Sequence, residues 1–92
     1  KKLALFFIDL DNFKVVNDTL GHAAGDSLLQ QVAERLKSVA RQDDVLARIS
    51  GDEFVLVMQG FDVPRQVDLL ARRLQAALMI PFSVSGQSLT VT

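Results

Sequence analysis

The strongest constraint on the fold is a short, uninterrupted apolar run, Leu3-Ala4-Leu5-Phe6-Phe7-Ile8, that breaks at once into Asp9-Leu10-Asp11. It is far shorter than the roughly 18 residues of a membrane span, and its length is that of a strand. With no polar residue alternating through it, the run predicts a strand buried on both faces, as in a sheet covered by helices. The rest of the chain supplies such helices. Residues 12–20 predict a short helical turn stopped by Gly21. Residues 26–40 predict a longer helix, because Leu28, Leu29, Val32, Ala33, Leu36, Val39 and Ala40 recur at helical spacing, with Asp26 or Ser27 placed to cap it. A third helix is expected from Pro64, a residue suited to a first helical turn, with Val67, Leu70, Ala71, Leu74, Ala77 and Leu78 as its stripe and Pro81 as its stop.

Between these helices lie two hairpin patterns. Residues 45–49 and 54–58 are apolar runs around Ser50-Gly51-Asp52-Glu53, and residues 82–84 and 89–91 flank Ser85-Gly86-Gln87. The order strand, helix, hairpin, helix, hairpin predicts an α/β (α+β) fold: a mixed, mainly antiparallel sheet flanked by helices. Both ends read as cut. Lys1-Lys2 runs straight into the first strand, and the segment ending at Thr92 reads as a strand still running. The chain is therefore expected to be a single partial domain, residues 1–92, truncated at both ends within a larger protein.

Charge narrows the function classes. Ten Lys and Arg stand against eleven Asp and Glu, for a net charge of −1. That balance lacks the basic excess of a nucleic-acid binder, and no segment predicts membrane contact. The absence of cysteine excludes disulfides and thiolate metal sites and suits a reducing cytoplasm, whether the parent protein is free or membrane-anchored. Two acidic clusters remain. Asp9 and Asp11 follow the first strand, on the same side if the strand continues that far, and Asp52 and Glu53 occupy the hairpin tip. If the hairpin lies beside the first strand, the clusters meet. Carboxylates of this kind suit Mg²⁺ or Mn²⁺ with open positions for water and phosphate. Acidic residues are also common at turns for local reasons, so spacing alone leaves both readings open.

The string Arg48-Ile49-Ser50-Gly51-Asp52-Glu53-Phe54 resembles the signature of the GGDEF (diguanylate cyclase) family, with Ser50 in place of the first glycine. The upstream string from Phe7-Ile8-Asp9-Leu10-Asp11-Asn12-Phe13-Lys14 through Asn17, Gly21-His22 and Gly25-Asp26 is similar to the other signature of that family. The resemblance covers nearly the whole chain. It implies a fold like the palm of nucleotide cyclases and polymerases. It implies that Asp9 binds Mg²⁺ through its side chain and Leu10 through its carbonyl. Asp52 would be a further ligand and the group activating the GTP 3′-hydroxyl, with Glu53 in support. Asn12, Phe13 and Lys14 would hold phosphates, Asn17 and Asp26 would read guanine, and His22 and Gly51 would line the nucleotide site. Asn carries both donor and acceptor and Asp accepts from paired donors, which matches the guanine edge. Taken as bare residues, Asn17 fits a local turn bond and Asp26 a helix cap equally well.

Two positions carry separate expectations. If position 50 needs positive φ, serine there costs on the order of 1 kcal/mol; if it needs only a small side chain, serine is harmless. Arg41-Gln42-Asp43-Asp44 looks like the R-x-x-D inhibitory site of the family. There Arg41 and Asp44, joined by Arg72 or Arg73 and most simply Arg73, would bind cyclic di-GMP.

The resemblance thus implies an enzyme that condenses two GTP into cyclic di-GMP and pyrophosphate, as a homodimer, with product inhibition. The second reading is a weak or inactive domain that binds GTP or cyclic di-GMP and regulates a fused phosphodiesterase or sensor.

Overall fold

A computed structural model describes residues 3–11 and 13–90. The expected elements are present in the expected order: β1 (Leu3–Asp9), α1 (Phe13–Leu20), α2 (His22–Val39), β2 (Val45–Ser50), β3 (Glu53–Gln59), α3 (Pro64–Met79), β4 (Phe82–Val84) and β5 (Gln87–Leu89). β1, β3 and β2 form one antiparallel sheet in that order, and β4 and β5 form a separate hairpin. The α/β class and the antiparallel sheet agree with the sequence expectation.

The core lies between one face of this sheet and the helices. Ile8, Phe54, Leu56 and Met58 point from the sheet toward Leu28, Val32 and Leu36 of α2 and Leu70 and Leu74 of α3. The helical spacing that marked these residues therefore corresponds to buried stripes. Phe82 and Val84 of the second hairpin complete the core.

One expectation fails. β1 is not buried on both faces: Leu3, Leu5 and Phe7 are 62%, 57% and 71% exposed, whereas Ile8 is buried. The helices of the described residues cover one side only, so an all-apolar run here sits in a half-covered sheet. The run length signalled a strand correctly, but apolar composition does not reveal how many layers lie over it.

Element boundaries follow local chemistry. Gly21 ends α1 and precedes α2 with φ +94°, a conformation that favours glycine. Its N–H donates to the Asn17 carbonyl at 3.0 Å. At the start of α3, Val63 has no side-chain acceptor, so Gln66 closes the turn. Its Oε1 accepts from the N–H of Asp62 at 2.7 Å and of Val63 at 3.3 Å. Met79 ends α3 two residues before Pro81, as proline requires.

The second hairpin turns on Ser85-Gly86, both at positive φ, the two-residue loop that matches strand twist. Gln87 belongs to β5 and not to the turn, so the second strand begins earlier than residue 89. Its expected end at Val91 lies outside the described residues. Arg35 of α2 ties this region down. Its guanidinium donates to the carbonyls of Ala77 at 3.1 Å, Pro81 at 3.2 Å and Ile80, and sits 3.6 Å from the Phe82 ring centre.

Candidate active site at the end of the sheet

The antiparallel register places Asp9, the last residue of β1, opposite Glu53, the first of β3. One step further, the Leu10 N–H donates to the Asp52 carbonyl at 2.9 Å. The two acidic clusters therefore meet at one end of the sheet, as expected if the hairpin lay beside the first strand. The buried Leu10 side chain anchors the chain at this point. Asp11 does not share the face of Asp9. β1 ends at Asp9, and Asp11 lies in an exposed turn, so the alternation argument does not reach it.

Like charges directly opposite each other on neighbouring strands destabilise a sheet. Among the described residues the ion pair is Arg41–Asp44, far along the chain from this acidic end. The donor set is all oxygen: the carboxylates of Asp9, Asp52 and Glu53 and the Leu10 carbonyl. Among the described residues no three acidic or histidine side chains form a ready-made cage. Mg²⁺ is usually held by one or two carboxylates, the remaining positions going to water and substrate phosphate. The residues present fit that pattern.

Ser50 is strand backbone at the end of β2 and does not adopt positive φ. The strain considered for serine at this position therefore does not arise. Its hydroxyl faces a Glu53 carboxylate oxygen at 3.3 Å, and the strand pairing slips by one residue between Arg48 and Ser50. Gly51 also lies outside the left-handed region. A Cβ at Gly51 would meet only the Phe13 ring, at 3.9 Å, so the hairpin tip has room above it and borders the start of α1.

At that start Phe13 is buried and Lys14 exposed. The first-turn N–H groups of a helix have no internal partners and favour anions. Asn12 lies outside the described residues.

α2 begins at His22, four residues earlier than expected, with Gly21 before it. Asp26 is thus inside the helix and is not its cap, and the local role weighed for it is removed. Its side chain lines a cleft of about 500 Å³ between α2 and the first hairpin, together with Gln30, Lys37, Leu46, Arg48 and Phe54. His22 is exposed at the first position of α2, and Asn17 is half-buried on α1. Gln30, Lys37 and Arg48 received no role from sequence reasoning. The signal was there in the spacing of Asp26, Gln30 and Lys37 along one helix side.

The other end of the first hairpin holds the R-x-x-D segment. Asp44 Oδ2 accepts the Arg41 backbone N–H at 2.8 Å, and Asp44 Oδ1 accepts from the guanidinium at 3.3 Å. The guanidinium also donates to the Gln59 carbonyl at the end of β3. The Asp44 side chain is fully buried while that of Arg41 is 34% exposed, so Asp44 stands behind Arg41 and aims it. Arg41 and Arg73 share a cleft of about 160 Å³ with Met58, Gln66, Leu69 and Leu70. Of the two arginines weighed on α3, Arg73 is the one that lines it.

Comparison with known proteins supplies independent findings. The sequence profile described as "Diguanylate cyclase, GGDEF domain" matches residues 1–92. The cyclic di-GMP phosphodiesterase NbdA of Pseudomonas aeruginosa is 44% identical over 92 residues, which is 100% of this chain and 12% of that protein. The bifunctional diguanylate cyclase/cyclic di-GMP phosphodiesterase MucR of the same organism is 39% identical over 92 residues, 100% of this chain and 13% of that one. A solved structure described as comprising only the GGDEF domain of TpbB from Pseudomonas aeruginosa superposes with a TM-score of 0.91 at 36% identity. It covers 98% of this chain, which in turn covers 53% of the solved one. The chain thus spans a small part of these curated relatives and about half of the solved domain.

Proposed function

Because the chain belongs to the diguanylate cyclase GGDEF domain family, matched along its whole length, we propose that it forms the GTP- and metal-binding part of a diguanylate cyclase. Its extent, about half of a solved chain that comprises only such a domain, supports reading it as part of that domain. The observation that carries the proposal is the register that sets Asp9 opposite Glu53 and hydrogen-bonds Leu10 to Asp52. That pairing collects an all-oxygen donor set beside the start of α1.

In the proposed reaction two GTP-loaded domains face each other. Each 3′-hydroxyl attacks the α-phosphate of the opposite GTP. Two 3′-oxygen–phosphorus bonds form, two bonds to the β-phosphate bridge break, and two pyrophosphates leave. Bound Mg²⁺ or Mn²⁺ would offset charge on the phosphoryl oxygens and lower the pKa of the attacking hydroxyl. Asp9, the Leu10 carbonyl and Asp52 would hold the metal, with Glu53 in support. Asp52 also takes the 3′-hydroxyl proton. Lys14 and the first-turn N–H groups of α1 hold phosphate, an electrostatic task suited to a helix start. Asn17 and Asp26 read the guanine edge, and His22 borders the base. Positioning and charge stabilisation supply most of the rate in such transfers.

Arg41, aimed by Asp44 and paired across a cleft with Arg73, is proposed to bind the product and inhibit. A planar guanidinium can donate twice to phosphate or to the guanine Hoogsteen edge.

The test is incubation of the full-length protein, as a dimer, with GTP and Mg²⁺, with cyclic di-GMP quantified by chromatography. Product formation is expected. GTP binding without product would sink the cyclase reading and leave the second one, a nucleotide-binding regulatory module. One observation favours that second reading: NbdA, identical at 44% of positions over the whole chain, is named as a phosphodiesterase alone.

A further inference from the structure

Gly25 is buried inside α2 and has no part in the reaction as proposed. A helix interior is a poor place for glycine, which ranks below every residue but proline there. Its φ is not left-handed, so no turn explains it. The explanation is a neighbour. A Cβ built at Gly25 would fall on Asn17 Oδ1 and stand 2.8 Å from Asn17 Cγ and 3.5 Å from Nδ2. None of the other four glycines meets such an obstacle. Gly21, Gly60 and Gly86 have nothing within 4 Å of that point, and Gly51 has only a ring carbon at 3.9 Å.

The backbones on either side are fixed. The Gly21 N–H bonds the Asn17 carbonyl at 3.0 Å, and the Gly25 N–H bonds the Gly21 carbonyl at 3.2 Å. Phe13 and Val16 bury the inner face of α1. With both helices held, a side chain at position 25 would have to displace the Asn17 carboxamide.

We propose that Gly25 is a positioning residue: its missing side chain is the slot that holds the Asn17 carboxamide toward the base, and so it sets the base preference of the nucleotide site. This rests on Asn17 reading guanine, as proposed above. A carboxamide offers a donor and an acceptor in one plane, and a recognition group loses its value when tilted by a few tens of degrees. Adenine lacks the N1–H and N2–H donors of guanine, so the loss falls on GTP and not on ATP.

The test uses 3′-deoxy-GTP and 3′-deoxy-ATP, which bind without turnover, titrated onto the full-length protein. Wild type, Gly25→Ala, Asn17→Ala and the double variant are compared, each with its melting temperature. Gly25→Ala is expected to weaken 3′-deoxy-GTP about tenfold, the scale of one lost hydrogen bond, and to leave 3′-deoxy-ATP unchanged. In the Asn17→Ala background the same substitution should have no further effect, because the group it displaces is gone. A Gly25→Ala protein that keeps the wild-type preference, or losses that add fully in the double variant, would overturn the inference. Should Gly25→Ala lower the melting temperature, the double variant should restore it. If it does not, the methyl clashes with something other than Asn17, and the inference fails. Wild-type protein with no preference for guanine would overturn the nucleotide reading instead. The packing relation would still be judged by the four melting temperatures.

Discussion

The two ends of the β2–β3 hairpin handle charge in opposite ways. At the tip, Asp9 and Glu53 face each other across the ladder with Asp52 beside them, and the Ser50 hydroxyl hydrogen-bonds the Glu53 carboxylate. At the base, Asp44 is fully buried and its carboxylate is shared between the backbone and the side chain of Arg41. Six or seven strand residues, roughly 20 Å at about 3.3 Å each, separate the two. The tip keeps carboxylates of one sign together, an arrangement that costs stability unless a cation joins it. The base satisfies its charge internally and leaves one guanidinium, already oriented, partly exposed. On the proposed function, one end is a site that needs its ligand and the other is a site held ready for one.

Substitutions at each end test that contrast. The largest expected effect is at the tip. Asp52→Ala should lower cyclic di-GMP formation on the order of a hundredfold or more, the scale for losing a charge-stabilising group. Its melting temperature without metal should be unchanged or raised, because a repelling charge is removed. Normal turnover in that variant, measured by chromatography, would remove Asp52 from the site.

At the base the ranking of effects reverses, and stability responds first. Asp44→Ala orphans the Arg41 backbone N–H and is expected to cost about 1–3 kcal/mol in denaturant unfolding. Arg41→Ala should cost less, since that side chain is partly exposed, while raising the product concentration needed for inhibition. An Asp44→Ala protein as stable as wild type would show that the buried carboxylate does not hold the corner.

The smallest effect is expected at Ser50→Gly. Because Ser50 does not adopt positive φ, restoring the glycine of the family signature should change turnover less than threefold and cost about 0.5–1 kcal/mol in strand stability. A tenfold gain in product would mean that serine impedes the site in a way that backbone conformation does not explain.

Much of the fold was legible in the sequence because its signals are local. The stripe from Leu28 to Leu36 marks a helix, Pro64 and Pro81 bracket another, and Gly51 and Gly86 lie in hairpin turns. The motif strings around Asp9 and Asp52 pointed to the family that the profile match then showed. Local signals misled where two roles share one residue type. Asp26 looks like a cap in sequence, yet α2 starts at His22, because Gly21 closes α1 and opens α2 at the same point. The run from Leu3 looked buried on both faces, yet helices pack on one.

By itself, the sequence determined element type, order and chemical inventory: periodicity, turn residues and carboxylates act within a few positions of one another. Tertiary structure decided which of these meet. The register that sets Asp9 against Glu53 joins residues 44 positions apart. That Arg73, of the two arginines, shares a cleft with Arg41 depends on which side of α3 faces the end of β3. The close approach of the Asn17 carboxamide to Gly25 depends on how α1 folds back along α2. Strand register and helix packing come from burying distant apolar faces together, and a pattern within a single segment carries no record of its partner.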